Sequence, residues 1–169
     1  MDAEQLKKLQ APLKEKYHQD PKLAMITLSA QGSLGDGIAC KVKTGKSIAQ
    51  AGLHPATGGD GLSLCSGDML LEALVACAGV TMKAVATAIG VKLRNADIRA
   101  EGDLDFRGTL GVSKDVPVGF GQIRLRFDLD SDASEEELET LIRLTERYCV
   151  VFQTLSHPPA LKVSCERAQ

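Results

Sequence analysis

The segment from Ser66 to Gly90, SGDMLLEALVACAGVTMKAVATAIG, constrains the fold more than any other part of the chain. Ser66 reads as an N-cap, Asp68 sits in the positively polarised first turn, and Gly90 supplies a C-terminal stop. The predicted helix is roughly 36 Å long at 1.5 Å per residue. Sixteen of the 21 residues from Met69 to Ile89 are apolar, and they fall on nearly every face rather than on one stripe. A helix of that kind has to be enclosed on most sides. Glu72 and Lys83 leave ten uncharged residues between them. That run is too short for a bilayer, so a core helix and no membrane partner are expected.

The elements around it supply part of the enclosure. Leu6, Leu9 and Leu13 recur at helical spacing from about residue 3 to 18, and Asp20-Pro21 ends that helix. The period then changes to two. Ala24, Ile26, Leu28 and Ala30 form one alternating run, Gly35-Asp36-Gly37 turns the chain, and Ile38, Cys40 and Val42 form a second, with a short third strand near Ile48–Leu53. After the central helix, Ile98–Arg107 and Ile123–Asp130 alternate strictly, each with one wet face. Ser134 and Glu137 make a capping box for a helix whose apolar stripe runs through Leu138, Leu141, Ile142 and Thr145 to Cys149. A break at His157-Pro158-Pro159 precedes a last strand with Leu161, Val163 and Cys165 inward.

The order αβββαββαβ with antiparallel signatures reads as α+β. One domain over 1–169 is expected, with the N-terminal helix in 1–20, strands in 24–53, the central helix in 66–90, and C-terminal strands and helix in 96–167. Six strands with single apolar faces cover one side of the central helix and leave the other to water. A second subunit would bury it, so a homodimer with two such helices packed at the centre is predicted, the many Ala and Gly allowing close approach. The other solution covers that side with the two remaining helices of a monomer.

Charge and composition narrow the partners. Twenty basic against twenty-two acidic side chains give a formal charge of −2, and aromatic residues make up only 4% with no Trp. Neither a summed field for a polyanion nor stacking platforms for bases are present, so no nucleic-acid partner is expected. The first twenty residues are densely charged, without the apolar run of a secretory signal, and a cytoplasmic location is the expectation. Five cysteines, odd in number and without CxxC spacing, read as thiols rather than a disulfide framework.

Position separates these thiols. Cys40 and Cys165 fall on inward strand phases, where cysteine behaves as a small hydrophobe. Cys65 lies just before the predicted N-cap, where the helix dipole favours thiolate. Cys77 lies deep in the central helix on a face with Leu70, Ala73, Leu74, Val80, Thr81 and Ala84, an environment that by itself raises a thiol pKa. Glu72 and Lys83 project from the far side, so any activating group comes from another element. Cys149 ends a buried stripe in the same way. Both read as core residues, or as a pair with its own chemistry if the two helices bring them together. His54 and His157 have no metal-ligand spacing with Cys65 or Cys165, and Gly58-Gly59-Asp60-Gly61 lacks the Lys-Ser/Thr of a phosphate loop.

Ser66-Gly67-Asp68-Met69-Leu70-Leu71-Glu72-Ala73-Leu74-Val75-Ala76-Cys77 resembles the helix signature of the OsmC/Ohr proteins, an acid-Leu-Leu start leading to an Ala-rich segment and a reactive cysteine. Tyr148-Cys149-Val150-Val151 resembles the family's second motif, a Cys-Pro-Val-type turn at a helix end. Gly102–Arg107, Leu110-Gly111 and Val118–Phe120 are similar in order and spacing, and the resemblance extends over about residues 24–167. It implies antiparallel sheets wrapped around central long helices in an intertwined homodimer, and a peroxidase acting on organic hydroperoxides. By the same resemblance Cys77 is the peroxidatic thiol, Cys149 the resolving thiol, an external dithiol the reductant, and no metal, haem or flavin is needed. Family peroxidases bring an arginine from the N-terminal sheet to the sulfur and an acid from the helix start. Here no arginine precedes Arg94, the basic residues of that hairpin region are Lys41, Lys43 and Lys46, and Gly67 then Asp68 stand where the acid is usual. A non-catalytic small-ligand-binding or redox-sensing protein of the same fold is therefore the second reading.

Overall fold

The computed structural model describes residues 2–19, 31–34, 39–43 and 48–167. Helix α1 (Ala3–Gln19) is followed by strands β1 (Gln31–Leu34), β2 (Ala39–Lys43) and β3 (Ile48–Gly52), a 3-10 turn at Pro55–Thr57, and the two-residue strand β4 (Leu64–Cys65). The long helix α2 (Ser66–Ile89) leads to strand β5 (Leu93–Leu104), a single turn α3 (Phe106–Thr109), strand β6 (Phe120–Ser131), and helices α4 (Glu135–Tyr148) and α5 (Val150–Ser156). The architecture is α+β, in two sheets. β1, β2 and β3 pair antiparallel, with β4 added parallel to β3, and β5 and β6 form a separate antiparallel hairpin.

Several boundaries differ from those the sequence predicts. The alternating run Ala24–Ala30 and the Gly35–Gly37 turn lie outside the described residues; the strand paired with β2 is Gln31–Leu34. Cys65, not Ser66, is the N-cap of α2, and its side chain makes no capping hydrogen bond, whereas Gly90 closes the helix in the left-handed conformation at φ 81°. β5 begins earlier than Ile98 and stops at Leu104, because the Asp105 carboxylate accepts from the Arg107 amide and starts the α3 turn. No strand forms around Leu161, Val163 and Cys165. That stretch has no regular structure and is exposed, Leu161 at 90% and Val163 at 97%. An alternating pattern needs a neighbouring edge to become a strand, and among the described residues this one pairs with none.

The hairpin β5–β6 is built on its alternation. Ile98, Ala100, Leu104, Ile123, Leu125, Phe127 and Leu129 face inward, and an irregularity between Leu93 and Asn95 lets both Leu93 and Ala96 turn to the core. On the wet face Arg99 lies opposite Arg126 and Asp97 opposite Asp128, like charges that would repel across the ladder. Arg126 turns along its own strand to Asp128 at 2.7 Å, Arg124 reaches Asp103 at 2.8 Å, and Arg94 reaches Asp130 at 2.5 Å and also pairs with Asp132. These exposed pairs fix side-chain directions and add little to stability.

α2 buries one stripe at four-residue spacing, Leu74, Ala78, Met82 and Ala86, against α4 and the hairpin. Its C-terminal half packs with Val91 and Leu141, and its N-terminal half with Cys149. Leu141 is fully buried, which contributes about 1.5–3 kcal/mol. By overall length and composition α2 is long and apolar enough to cross a bilayer, more than the run between Glu72 and Lys83 predicts. The stripe that packs against α4 and β5 is nevertheless that of a core helix. Ala73, Ala76 and Val80, one turn apart on another face, stand exposed, Val80 at 74%.

Candidate functional site

Cys77 and Cys149, seventy-two positions apart, meet inside the cluster made by Leu74, Ala78, Ile98, Ile123, Leu125 and Phe152. Two local features deliver them. Cys77 lies in the middle of α2, at a phase between the buried stripe and the half-buried flank. Cys149 is the single residue between α4 and α5: its amide donates to the Thr145 carbonyl as C-cap of the first, and its sulfur accepts from the Phe152 amide at 3.5 Å as N-cap of the second. Only 1% of Cys149 is exposed, while Cys77 is half-buried.

The pair is electrostatically asymmetric. Burial pushes the Cys77 thiol up, but hydrogen bonds from the Val151 amide, the Cys149 side chain, the Val150 amide and the Thr81 hydroxyl outweigh it, so Cys77 sits below an ordinary cysteine. Each of these four donors is neutral. Burial likewise pushes Cys149 up, the Phe152 amide offsets part of that, and the neighbouring Cys77 adds to the rise, so Cys149 stays a thiol to higher pH. The first-turn amides of α5 have no intrahelical acceptor, which is why they are free to turn to sulfur. The two thiols are thus shifted in opposite directions by the groups around them.

The remaining expected positions lie elsewhere. Cys65 is half-buried and lines a cavity of about 510 Å³ with His54, Asp68, Phe106 and Phe120. It is twelve residues before Cys77, roughly 18 Å along the helix axis, so the two thiols do not share a site. Cys165 is exposed on the unstructured segment, not inward on a strand as its alternation predicts. The backbone of Cys40, Lys41 and Lys43 belongs to β2, and Lys46 lies outside the described residues. His54 stacks on Phe106 with ring centroids 4.9 Å apart, and its Nδ1 accepts from the Ala56 amide. Among the described residues no group of three or more His, Cys, Asp or Glu side chains is placed to hold a metal ion.

Sequence reasoning did not identify the Val150 and Val151 amides or the Thr81 hydroxyl as partners of Cys77. Backbone donors leave no signature in side-chain identity. The signal that existed was Thr81 itself, one turn beyond Cys77 on the same face.

A family model described as OsmC-like protein matches residues 58–164 of the chain. No match is found among the curated proteins. Among solved structures, an OsmC like protein from Mycoplasma pneumoniae is similar with a TM-score of 0.67 and 17% identity, over 79% of this chain and 89% of that one. An organic hydroperoxide resistance protein from Elizabethkingia anophelis superposes with a TM-score of 0.64 and 14% identity, over 79% of this chain and 91% of its own. An organic hydroperoxide resistance protein OsmC from Legionella pneumophila gives a TM-score of 0.63 and 15% identity, again over 79% and 91%.

Proposed function

We propose, on the premise that the chain belongs to the OsmC-like protein family, that it is a thiol-dependent peroxidase reducing organic hydroperoxides. The observation that carries this reading is the contact between Cys77, drawn toward thiolate, and Cys149, held as a thiol, at the first turn of α5. A two-cysteine peroxidase needs that division of labour. The Cys77 thiolate attacks the distal oxygen of R–O–O–H; the S–O bond forms, the O–O bond breaks, and the alkoxide leaves and takes a proton to become the alcohol. Cys77 is left as a sulfenic acid, oxidised by two electrons. The Cys149 sulfur then attacks the Cys77 sulfur, the S–S bond forms, and the departing hydroxide takes the Cys149 proton and leaves as water. An external dithiol returns the disulfide to two thiols by exchange. The apolar surroundings of the pair favour organic over hydrogen peroxide, because each CH₂ that an alkyl group buries contributes about 0.8 kcal/mol.

The protein acts as a homodimer in this reading. Ala73, Ala76 and Val80 on α2 and Leu161 and Val163 beyond α5 are left to water by a single chain, and a second copy is the simplest cover for them. The alternative of a non-catalytic ligand-binding or redox-sensing protein draws on one fact, the lack of any arginine before Arg94. Hydroperoxide consumption with a dithiol reductant separates the two. Cys77→Ser is expected to abolish turnover, and Cys149→Ser to complete one turnover and accumulate a sulfenic acid that a dimedone probe labels at Cys77. Wild-type protein inert toward both alkyl and aryl hydroperoxides overturns the peroxidase reading.

A further inference from the structure

Gln153, half-buried on α5, hydrogen-bonds on both sides of the α4–α5 joint. Its backbone amide donates to the Cys149 carbonyl at 2.9 Å, the first helical bond of α5. Its side-chain Nε2 reaches back to the Glu146 carbonyl at 2.8 Å, in the last turn of α4. That carbonyl is one of those a helix end leaves without a partner of its own. A carbonyl only accepts, so the nitrogen is the end of the carboxamide that fits it. Among the described residues no other side chain of α5 hydrogen-bonds to α4.

The two bonds of Gln153 straddle Cys149, whose amide belongs to α4 and whose carbonyl belongs to α5. Between them the chain turns at φ −74° and ψ 108°. The extended region is broad, so what holds a residue at one point of it comes from outside that residue. α5 has only seven residues, and so short a helix keeps its place by what it is fastened to. On one side Val151, Phe152 and Leu155 pack into the cluster that contains Cys77 and Cys149, against α2. On the other side the fastening to α4 is the Gln153 carboxamide. In the same turn the Phe152 amide donates to the Cys149 sulfur at 3.5 Å, a bond that a swing of α5 would break.

We propose that Gln153 is a positioning residue for disulfide formation: its carboxamide clamps α5 to the last turn of α4 and so keeps the Cys149 sulfur directed at Cys77. The inference deepens the proposed function and rests on Cys77 and Cys149 being a redox pair. Once formed, the disulfide holds the joint by itself. The clamp therefore counts in the reduced protein, where it sets how often the second sulfur is within reach of the first.

The test equilibrates the full-length protein, with all its cysteines, in a series of glutathione buffers. The two protein thiols give two electrons and two protons to glutathione disulfide, which becomes two glutathione thiols as the Cys77–Cys149 bond forms. The fraction of linked Cys77–Cys149 peptide, read by mass spectrometry, gives the equilibrium constant. Gln153→Met keeps the length and the helix propensity and removes the donor, and is expected to lower that constant about 2- to 10-fold, the worth of one neutral hydrogen bond. Gln153→Glu keeps the shape and turns the donor into a carboxylate facing a carbonyl, and is expected to lower it at least as far. Its negative charge alone would disfavour a thiolate and favour the disulfide, so a loss in both variants separates the clamp from an effect of charge. Constants for both variants equal to wild type overturn the proposal, as does a Gln153→Glu constant at or above wild type. The measurement needs no hydroperoxide. A wild type that links the two cysteines but consumes no hydroperoxide overturns the peroxidase reading and leaves the clamp to be read, whereas a wild type that never forms the link overturns both.

Discussion

At the scale of single residues, the two thiols differ in depth and in what surrounds them. The Cys77 sulfur faces four neutral donors, and burial is outweighed; Cys149 has the Phe152 and Val151 amides and a sulfur beside it, and burial prevails. The sign of the pH dependence follows. As pH rises Cys77 loses its proton first, so labelling of Cys77 is expected to reach half its limiting rate below the midpoint of a free cysteine, and labelling of Cys149 above it. Mass spectrometry of the two peptides across a pH series checks the order, and Cys149 reacting first would contradict it. That these two residues meet was not legible in their spacing. Each sits on an apolar helix face that reads equally well as packing, and the pairing came from the resemblance of two motifs.

At the scale of elements, the long-range order of the chain was written where local rules are strong. Gly90 ends α2, the Ser134–Glu137 capping box starts α4, and strict alternation produces β5 and β6. The box is reciprocal, with the Glu137 amide donating to the Ser134 hydroxyl and the Ser134 amide donating to the Glu137 carboxylate. Shorter elements escaped prediction for the opposite reason. β4 is two residues that exist only because β3 is beside them, and α5 is seven residues begun by a cysteine, a residue type with weak capping preference. Within the hairpin, Gly102 is required by its neighbour: a Cβ there would come within 2.5 Å of the Phe120 ring, which lies over the strand. Gly102→Ala is expected to destabilise the fold by about 1–3 kcal/mol, because Phe120 must leave its place. A denaturant melt reads the loss, and an unchanged midpoint would mean that the ring moves freely.

At the scale of the whole molecule, the central helix retains the imbalance that its sequence announces. Its buried stripe satisfies four positions, while Ala73, Ala76 and Val80 form a second apolar stripe that stands exposed. The segment with Leu161 and Val163 has the period of a strand and, among the described residues, no strand paired with it, so the pattern in the sequence and the exposed conformation are consistent once a partner is supplied. Light scattering is expected to give twice the 18.0 kDa of the chain. Val80→Lys, which places a charge on the exposed stripe, is expected to shift that mass toward 18.0 kDa while leaving the α4 and hairpin packing intact. A wild-type protein that remains a monomer at high concentration would remove the dimer from the proposal.

Cys149 ends one helix and begins the next with no linker between them. The course of α5 away from α4 therefore hangs on a single φ/ψ pair, −74° and 108°, belonging to the residue that carries the buried sulfur. An inserted residue at this joint would do more than lengthen a loop: it would rotate one helix about the other and carry the sulfur away from its partner in the same motion. The direction of the second helix and the place of the sulfur are set by one residue, so neither can change while the other stays.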